Sequence, residues 1–325
     1  MGLRDVTRRV PARLYRSKLF VPCSRPTLFA KAAAGAADVV CLDLEDSVAP
    51  NDKDDARDAI VAALNEIDWN DKFVTARING LETHWCYRDV LALVEEGGER
   101  LDAIMIPKVA GAGDVYAIDM LITQASRAVG RKKEIGLEAI IETVAGLTQI
   151  DAIASSSPRL ESLHFGAADY AASQGMRTTN IGGGNADYVM VTDGEDRARH
   201  WNDLWHYPLF RIAQAARAHG IVPIDGPFGD YGDAEGFRVQ AQRTAILGFE
   251  GKWAIHPSQV GLANEIYTPP EREVARAEAI LAALSDAHEK GLGAVALDGV
   301  LIDAASIRQA QVIVRQMELV RARGG

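Results

Sequence analysis

Short runs of four to seven apolar residues recur along the chain, and each run ends in polar or charged residues. Continuous apolar runs of this length are typical of strands buried on both faces in a parallel sheet. The stretches between them have the helical spacing of apolar positions; residues 52–66, for example, begin with an acidic first turn. With their polar ends, the eight runs cover residues 18–22, 39–46, 73–80, 103–109, 135–143, 160–169, 221–227 and 252–257.

Eight alternating strand–helix units predict an α/β protein with a (β/α)8 TIM barrel. An open, doubly wound sheet is the alternative, but such sheets often carry a glycine-rich phosphate turn, and the chain has no GxGxxG motif after its early strands. Further helical patterns follow the eighth unit. The sequence therefore predicts an N-terminal arm over residues 1–16, a barrel over 17–268 and a C-terminal helical lid extension over 269–325.

Composition narrows the class of protein. The 325 residues are 48% hydrophobic, which suffices for a large core, and the net charge of −10 argues against a nucleic-acid partner. No segment has the roughly 18 consecutive apolar residues of a membrane span, so we expect no membrane partner. The three cysteines lack the spacing of a zinc site, and we expect buried, reduced thiols in a cytoplasmic protein.

One connection, residues 170–201, is much longer than the others and includes three consecutive glycines at 182–184. Loops of this length inside a compact domain are usually functional or mobile. The glycine run is weak evidence for phosphate binding, and a flexible hinge is the preferred interpretation.

The polar ends of the predicted strands are candidates for chemistry, because TIM-barrel active sites lie at the carboxyl ends of the strands. Glu142 and Asp169 follow the fifth and sixth runs, and two converging carboxylates suit Mg²⁺. The alternative is that Glu142 forms a structural ion pair with Lys108 or Arg77. His164 alternates with apolar residues and is interpreted as a core histidine.

Arg77 ends the third run, where a fixed guanidinium can clamp a carboxylate or stabilise an oxyanion. Glu45 and Asp46 are its candidate partners. Around the end of the first strand and its helix lie an aromatic and two basic residues, a combination that fits a phosphorylated, base-bearing ligand: Phe20, Arg25 and Lys31.

Many short motifs, in order and over residues 15–320, resemble one known family, the HpcH/HpaI aldolases and citrate lyase β-subunits. The motifs are KLFVPCSRP, LDLEDSVAP, ARING, IPKV, IIET, FGAADYAAS, PIDGPFGD, FEGKWAIHPSQV and LDGVLIDAASIRQA. The resemblance implies a Mg²⁺-dependent barrel, with Mn²⁺ as a substitute, that makes or cleaves a carbon–carbon bond between an acyl-CoA and an oxo acid. Within the family, the likeness is strongest to lyases that split malyl-CoA into acetyl-CoA and glyoxylate, with β-methylmalyl-CoA or citramalyl-CoA as further substrates.

The resemblance also assigns residues. It makes Glu142 and Asp169 the metal ligands and Arg77 the holder of the oxo acid, with Glu45 and Asp46 in support. It places another set of residues against the CoA moiety: Phe20, Arg25, Lys31, Ala168, Ile255 and Pro257.

The family's C-terminal segment is a lid whose aspartate reaches the active site of a neighbouring subunit. This implies a homo-oligomer, a trimer or hexamer, and makes Asp303 the expected acid–base residue, with Asp298 as the alternative. Three other functions stay open. They are a malyl-CoA thioesterase on the same fold, a pyruvate aldolase that does not use CoA, and an acyl-CoA-binding subunit without activity.

Overall fold

The computed structural model describes residues 10–194, 197–289 and 293–324. The chain forms two compact units. Of the described residues, the first unit contains 10–11 and those from 15 to 264, and the second contains Ala12–Leu14 and those from Glu265 onward. Most of the predicted N-terminal arm lies outside the described residues, and Tyr15 and Arg16 at its end are buried.

The described strands come in chain order, and eight of them form one parallel sheet. They are β1 (Ser17–Pro22), β2 (Val39–Asp43), β3 (Phe73–Arg77), β4 (Ala103–Ile106), β5 (Gly136–Ile141), β6 (Leu160–Phe165), β7 (Val189–Val191), β8 (Arg199–Trp201), β9 (Val222–Ile224), β10 (Lys252–Ala254), β11 (Val295–Leu297) and β12 (Val300–Ile302). The parallel sheet has the order β10-β1-β2-β3-β4-β5-β6-β9. A parallel bridge from Asp225 to Lys252 joins its two edges, so the predicted (β/α)8 barrel is confirmed.

Helices follow the barrel strands, as the sequence predicts. They are α1 (Phe29–Ala34), α2 (Lys53–Glu66), α3 (Cys86–Glu95), α4 (Ala112–Val129), α5 (Val144–Thr148), α6 (Ile150–Ala154), α7 (Ala167–Gln174), α8 (His206–Ala218), α9 (Ala234–Ile246), α10 (Ser258–Ile266), α11 (Glu271–Glu289) and α12 (Ala304–Ala322). In α2, acidic residues occupy the first turn and Ile60, Ala63 and Leu64 are buried. The apolar stripe explains why this segment folds back onto the sheet.

The barrel interior is polar at its centre. Lys18 on β1 forms a buried ion pair with Glu138 on β5. Because the first and fifth strands of an eight-stranded barrel lie opposite each other, this pair crosses the interior and ties the two sides together.

His164 lies beside the same pair and is fully buried. The Trp253 indole N–H donates to its Nδ1 over 2.9 Å, which leaves the proton of the neutral ring on Nε2, 2.8 Å from the Ser162 hydroxyl. Burial, with the charge of Lys18, lowers the pKa of His164 to about 4. The interpretation of His164 as a core histidine is therefore confirmed.

The long connection after β6 is more ordered than the sequence suggests. Residues 167–174 form α7, so part of the predicted sixth strand run and of the predicted loop is helical. Farther on, β7 and β8 pair as an antiparallel hairpin. Its exposed Met190 and Trp201 lack the alternation of a half-buried strand, and this is why the hydrophobic pattern did not predict a hairpin.

The second unit contains the helices α11 and α12 and a small antiparallel hairpin, β11–β12. Its core includes Val274, Met317 and Val320. Asp298 and Gly299 form the hairpin turn, both with positive φ, which is the conformation that favours an Asp-Gly pair.

Two smaller findings concern expectations from composition. All three cysteines are buried and unpaired, as predicted. Within the described part of the chain, no helix combines the length and the apolar character needed to cross a membrane.

Candidate active site

Arg77 is the last residue of β3, and its main partner is Asp43, the last residue of the neighbouring β2. The strand register pairs the two residues directly. Nε and Nη2 of Arg77 donate to the two carboxylate oxygens of Asp43 over 2.6 and 2.7 Å, and both side chains are buried. Burial opposes ionisation, but the charge of Arg77 and its hydrogen bonds hold the pKa of Asp43 below its usual value. The two-point contact fixes the plane of the guanidinium.

Glu45 and Asp46, the predicted partners of Arg77, differ in their contacts. Nη1 of Arg77 lies 2.8 Å from Oε2 of the buried Glu45. Asp46 is mostly exposed and 3.8 Å away. Burial is the main reason that the pKa of Glu45 is raised, although Arg77 and Lys108 act in the opposite direction. Glu45 is therefore the closer support of Arg77.

Lys108, two residues after β4, connects the fourth strand to the Arg77 cluster, which consists of Arg77, Asp43, Glu45 and Asp46. Its ammonium pairs with Glu45 and lies 3.4 Å from Asp46. Its backbone amide donates to Oε1 of Glu142 over 2.7 Å. The alternative drawn from sequence, an ion pair between Glu142 and the side chain of Lys108 or Arg77, is corrected here, because the contact comes from the main chain of Lys108.

Glu142 directly follows β5 and is only 2% exposed. Burial, followed by the negative charges of Asp169 and Glu45, raises its pKa to about 8. Gly166 leaves the space next to it: a Cβ on Gly166 would lie 2.2 Å from Oε2 of Glu142. A bound cation would offset the repulsion between this buried carboxylate and the carboxylates near it.

Asp169 was predicted to end the sixth strand, but it lies in the first turn of α7 instead. The negative charge of Asp169 raises the pKa of Glu142, so the two carboxylates lie near each other. Across the described ranges, no group of three or more His, Cys, Asp or Glu side chains is arranged as a metal site. Two carboxylates fit Mg²⁺, which is usually bound through one or two carboxylates and keeps several waters.

Phe20 on β1 is packed between two side chains of the site. The Arg77 guanidinium carbon lies 5.3 Å from the centre of its ring, and the Trp253 ring lies 4.2 Å from it on centroids. Trp253 is itself held by its hydrogen bond to His164. Trp253 thus holds the ring of Phe20 from one side, and that ring packs against the guanidinium of Arg77.

The other residues predicted to contact CoA lie after the carboxyl ends of β1, β6 and β10 and are exposed; they are Arg25, Lys31, Ala168, Ile255 and Pro257. No hydrogen bond or ion pair joins these five described residues to Arg77, Glu45 or Lys108. Exposed positions at one end of the barrel agree with a large ligand that lies over the mouth.

A cavity of about 260 Å³ opens beside the Arg77 cluster, and its lining includes Glu45, Asp46, Lys53, Asn79, Trp85 and Lys108. The buried ammonium of Lys53 donates to the carbonyl oxygens of Leu44 and Glu45, 2.7 Å from each. These bonds hold the backbone that carries Glu45 at the rim of the cavity.

The two lid candidates lie in the second unit. Asp303 is the N-cap of α12, and its carboxylate accepts hydrogen bonds from the amides of Ala305 and Ser306. Asp298 is mostly exposed in the hairpin turn, with Arg276 at 3.7 Å. Either carboxylate therefore has a local structural function in addition to any chemical one.

The sequence assigned no role to Asp43, and it offered Lys108 only as an alternative ion-pair partner of Glu142. A signal for Asp43 was present, because Asp43 and Arg77 end adjacent predicted strands. No pattern in the sequence indicates that Lys108 holds Glu142 through its amide.

Fold and site together define a TIM-barrel protein with a buried arginine at the carboxyl end of a strand and two neighbouring carboxylates, one after a strand and one in the first turn of a helix. The profile of the HpcH/HpaI aldolase/citrate lyase family matches residues 16–257, and the chain belongs to this family. The resemblance inferred from the sequence motifs is thus confirmed.

Among its relatives is the L-malyl-CoA/β-methylmalyl-CoA lyase of Cereibacter sphaeroides, 56% identical over 312 residues, with 96% of this chain and 97% of the relative covered. The malyl-CoA/β-methylmalyl-CoA/citramalyl-CoA lyase of Chloroflexus aurantiacus is 34% identical, with 97% and 91% covered. A crystal structure of CitE from Mycobacterium tuberculosis, in complex with magnesium, acetoacetate and coenzyme A, superimposes with a TM-score of 0.71. Its identity is 29%, and 95% of this chain and 99% of that chain are covered.

Proposed function

We propose that the protein is a Mg²⁺-dependent carbon–carbon lyase that reversibly cleaves malyl-CoA to acetyl-CoA and glyoxylate, and that also accepts β-methylmalyl-CoA or citramalyl-CoA. The observation that carries the proposal is the position of Arg77 beside the acidic neighbourhood of Glu142 and Asp169, at the mouth of the barrel. The 56% identity to a lyase with this activity supports the same substrate class.

Glu142 and Asp169 would hold the Mg²⁺, and Mn²⁺ would be able to replace it. When bound, the metal supplies Lewis-acid stabilisation to the oxygens of the oxo acid. The raised pKa of Glu142, with its cause in burial and in neighbouring carboxylates, supports this assignment.

In the cleavage of malyl-CoA, one proton leaves the hydroxyl group and one proton joins the enolate carbon, so the reaction neither consumes nor releases protons overall. The bond that breaks joins the hydroxyl-bearing carbon to the carbon next to the thioester. The electron pair of that bond passes to the thioester enolate, which takes a proton to become acetyl-CoA. Arg77 would donate hydrogen bonds to the oxygen that carries negative charge, and Asp43 keeps its guanidinium in one orientation. Glu45 and Asp46 would support Arg77.

Asp303 would give the proton to the enolate carbon during cleavage and take it from acetyl-CoA during condensation. We assign this role to the Asp303 of a neighbouring subunit in a trimer or hexamer, with Asp298 as the alternative. Closure of the lid segment over the site would exclude water, which otherwise protonates the enolate early. The predicted CoA contacts at the strand ends, together with the buried unpaired cysteines, fit a CoA enzyme of the cytoplasm.

The proposal is tested by incubating the purified protein with Mg²⁺, acetyl-CoA and glyoxylate and separating the CoA species by liquid chromatography. Formation of malyl-CoA supports the lyase. Release of free CoA from added malyl-CoA, without acetyl-CoA, would instead identify a thioesterase. Absence of any reaction in both directions would contradict both functions.

The metal assignment has its own test. Asp169→Ala should abolish turnover and metal binding with an unchanged thermal unfolding temperature, because Asp169 is partly exposed at the start of a helix. Asp58→Ala, which removes an exposed carboxylate on α2, should change none of these and is the control. Full activity of Asp169→Ala would refute the assignment.

A further inference from the structure

Lys108 has an unusual backbone conformation at a position that contacts the site. Its φ is 52°, and the other non-glycine residues with positive φ in the described ranges are Asn70 and Asp298. Asparagine and aspartate tolerate this left-handed region, whereas a lysine there is strained. Such strain persists only where the surroundings impose it, and it is concentrated at functional sites.

Two contacts impose the conformation of Lys108. The amide N–H donates to Oε1 of Glu142 over 2.7 Å, and the ammonium pairs with Glu45. The angle φ is the rotation about the N–Cα bond, so it determines where the side chain points relative to the amide N–H. With φ at 52°, this one residue contacts both carboxylates.

The hydrogen bond from the Lys108 amide also determines which carboxylate oxygen of Glu142 is free of that bond. Because Oε1 accepts the hydrogen bond from Lys108, Oε2 is the oxygen on the side of Gly166. The ammonium of Lys108, for its part, shares Glu45 with Arg77. Without the ammonium, the whole negative charge of Glu45 would act on Arg77.

We propose that Lys108 is a positioning residue that orients two parts of the site, Glu142 and the pair formed by Arg77 and Asp43. Its left-handed backbone orients Glu142 so that a single oxygen is presented to the metal. Its ammonium balances Glu45 and so preserves the geometry between Arg77 and Asp43. This inference rests on the proposed function for the identity of the metal, and the experiments below separate the two.

The backbone part is tested with a matched pair, Lys108→Gly and Lys108→Ala. Both variants lack the ammonium and keep the amide, but glycine adopts positive φ freely and alanine does not. Mn²⁺ binding without substrate, measured by electron paramagnetic resonance, should stay within about threefold of the wild type in the glycine variant. It should weaken by about tenfold in the alanine variant, as loss of a partner of a metal ligand does.

Asn70 provides the control for backbone strain, because it has φ 53° on an exposed loop. Asn70→Ala and Asn70→Gly should differ in thermal unfolding temperature, but their Mn²⁺ affinities should be equal to each other and to the wild type. A difference in Mn²⁺ affinity confined to the Lys108 pair is therefore the signature of positioning.

The ammonium part is tested with Lys108→Met and Lys108→Arg, since methionine keeps most of the length and arginine keeps the charge. Methionine should lower kcat by about tenfold or more with little change in the KM for acetyl-CoA, and arginine should restore most of the loss. A methionine variant with the kcat of the wild type would overturn this part.

The outcomes distinguish the inference from the proposed function. A wild-type protein that binds no Mn²⁺ would refute the metal site and the inference together. Normal binding by the wild type with equal affinities in the glycine and alanine variants would overturn the inference alone. Loss of the fold in all four Lys108 variants would also overturn it, because Lys108 would then be needed only for folding.

Discussion

Asp43 and Arg77, the last residues of two neighbouring strands, meet through two hydrogen bonds between buried side chains. A pair of similar burial exists at the other end of β2, where Asp38 accepts hydrogen bonds from the backbone and guanidinium of Arg16. The two pairs have the same chemistry, but only the first lies at the mouth of the barrel. They can therefore separate an effect on stability from an effect on the site.

Asp43→Asn should reduce both stability and activity. Removing one charge of a buried pair costs roughly 3 kcal/mol of unfolding free energy. A guanidinium that is no longer held in one orientation should lower kcat/KM by roughly 100-fold. Asp38→Asn should lose similar stability in urea unfolding but retain its kcat/KM. Equal losses of activity in the two variants would mean that Asp43 acts only through stability.

Gly166→Ala should disrupt the candidate metal site while the barrel stays folded. The new Cβ would lie 2.2 Å from Oε2 and 2.5 Å from Cβ of Glu142, so the carboxylate must move. Overpacking of this kind costs about 1–3 kcal/mol, and we expect Mn²⁺ affinity to fall by about tenfold or more. Titration calorimetry measures the affinity directly.

Gly261→Ala is the control for that substitution. Apart from the backbone of the helix itself and the two neighbouring residues, no heavy atom lies within 4 Å of a Cβ at this position. The variant should therefore gain up to about 1 kcal/mol of stability and bind Mn²⁺ normally. Wild-type metal affinity in Gly166→Ala would show that Glu142 is not a ligand or that it moves freely.

The lid aspartates are best compared as asparagine variants. An alanine would remove the acid–base group and also the local structural function of the side chain, so the two effects could not be separated. Asparagine still caps a helix at position 303 and still tolerates positive φ at position 298. Asp303→Asn should lose condensation of acetyl-CoA with glyoxylate, retain CoA binding and unfold at nearly the wild-type temperature. Asp298→Asn should remain active. The opposite result would transfer the acid–base role to Asp298.

Two buried groups should act on stability in opposite directions as the pH decreases from 7.5 to 5. Glu142, whose pKa is about 8 in the folded protein, takes up a proton and should raise stability, whereas His164 should lower it. The pKa of His164 in the folded protein is about 4 against an ordinary value of 6.5, so in this range the unfolded chain binds a proton that the folded chain excludes. The contribution of His164 is therefore a loss of stability on acidification, about 2 kcal/mol over this interval.

Below that range a second group adds to the loss. Burial would raise the pKa of Glu138, but Lys18 and His164 hold it at about 2, so its stabilisation is complete above pH 4.5 and declines as the pH falls toward 2. Urea unfolding at several pH values measures both phases. His164→Gln lacks the contribution of His164, so its stability should rise relative to the wild type by about 2 kcal/mol as the pH decreases from 7.5 to 5. An unchanged difference between the two proteins over this range would refute that contribution.

The sequence predicted the positions of Arg77 and Glu142 correctly but not that of Asp169. Hydrophobic runs placed Arg77 and Glu142 correctly at strand ends, because burial on both faces is a local signal in the sequence. The same reasoning put Asp169 at a strand end, whereas the chain turns into α7 after Phe165. A short apolar run does not by itself mark where a strand stops and a helix begins.

By itself, the sequence determined the eight strand–helix units, their parallel order and therefore the end of the barrel at which the polar residues gather. These properties follow from periodicity and chain direction. Only the tertiary structure decided that Asp43 provides the two-point contact to Arg77 and that the Lys108 amide, rather than its side chain, holds Glu142. Such partners depend on strand register and on the φ of one residue, which packing of the whole barrel imposes.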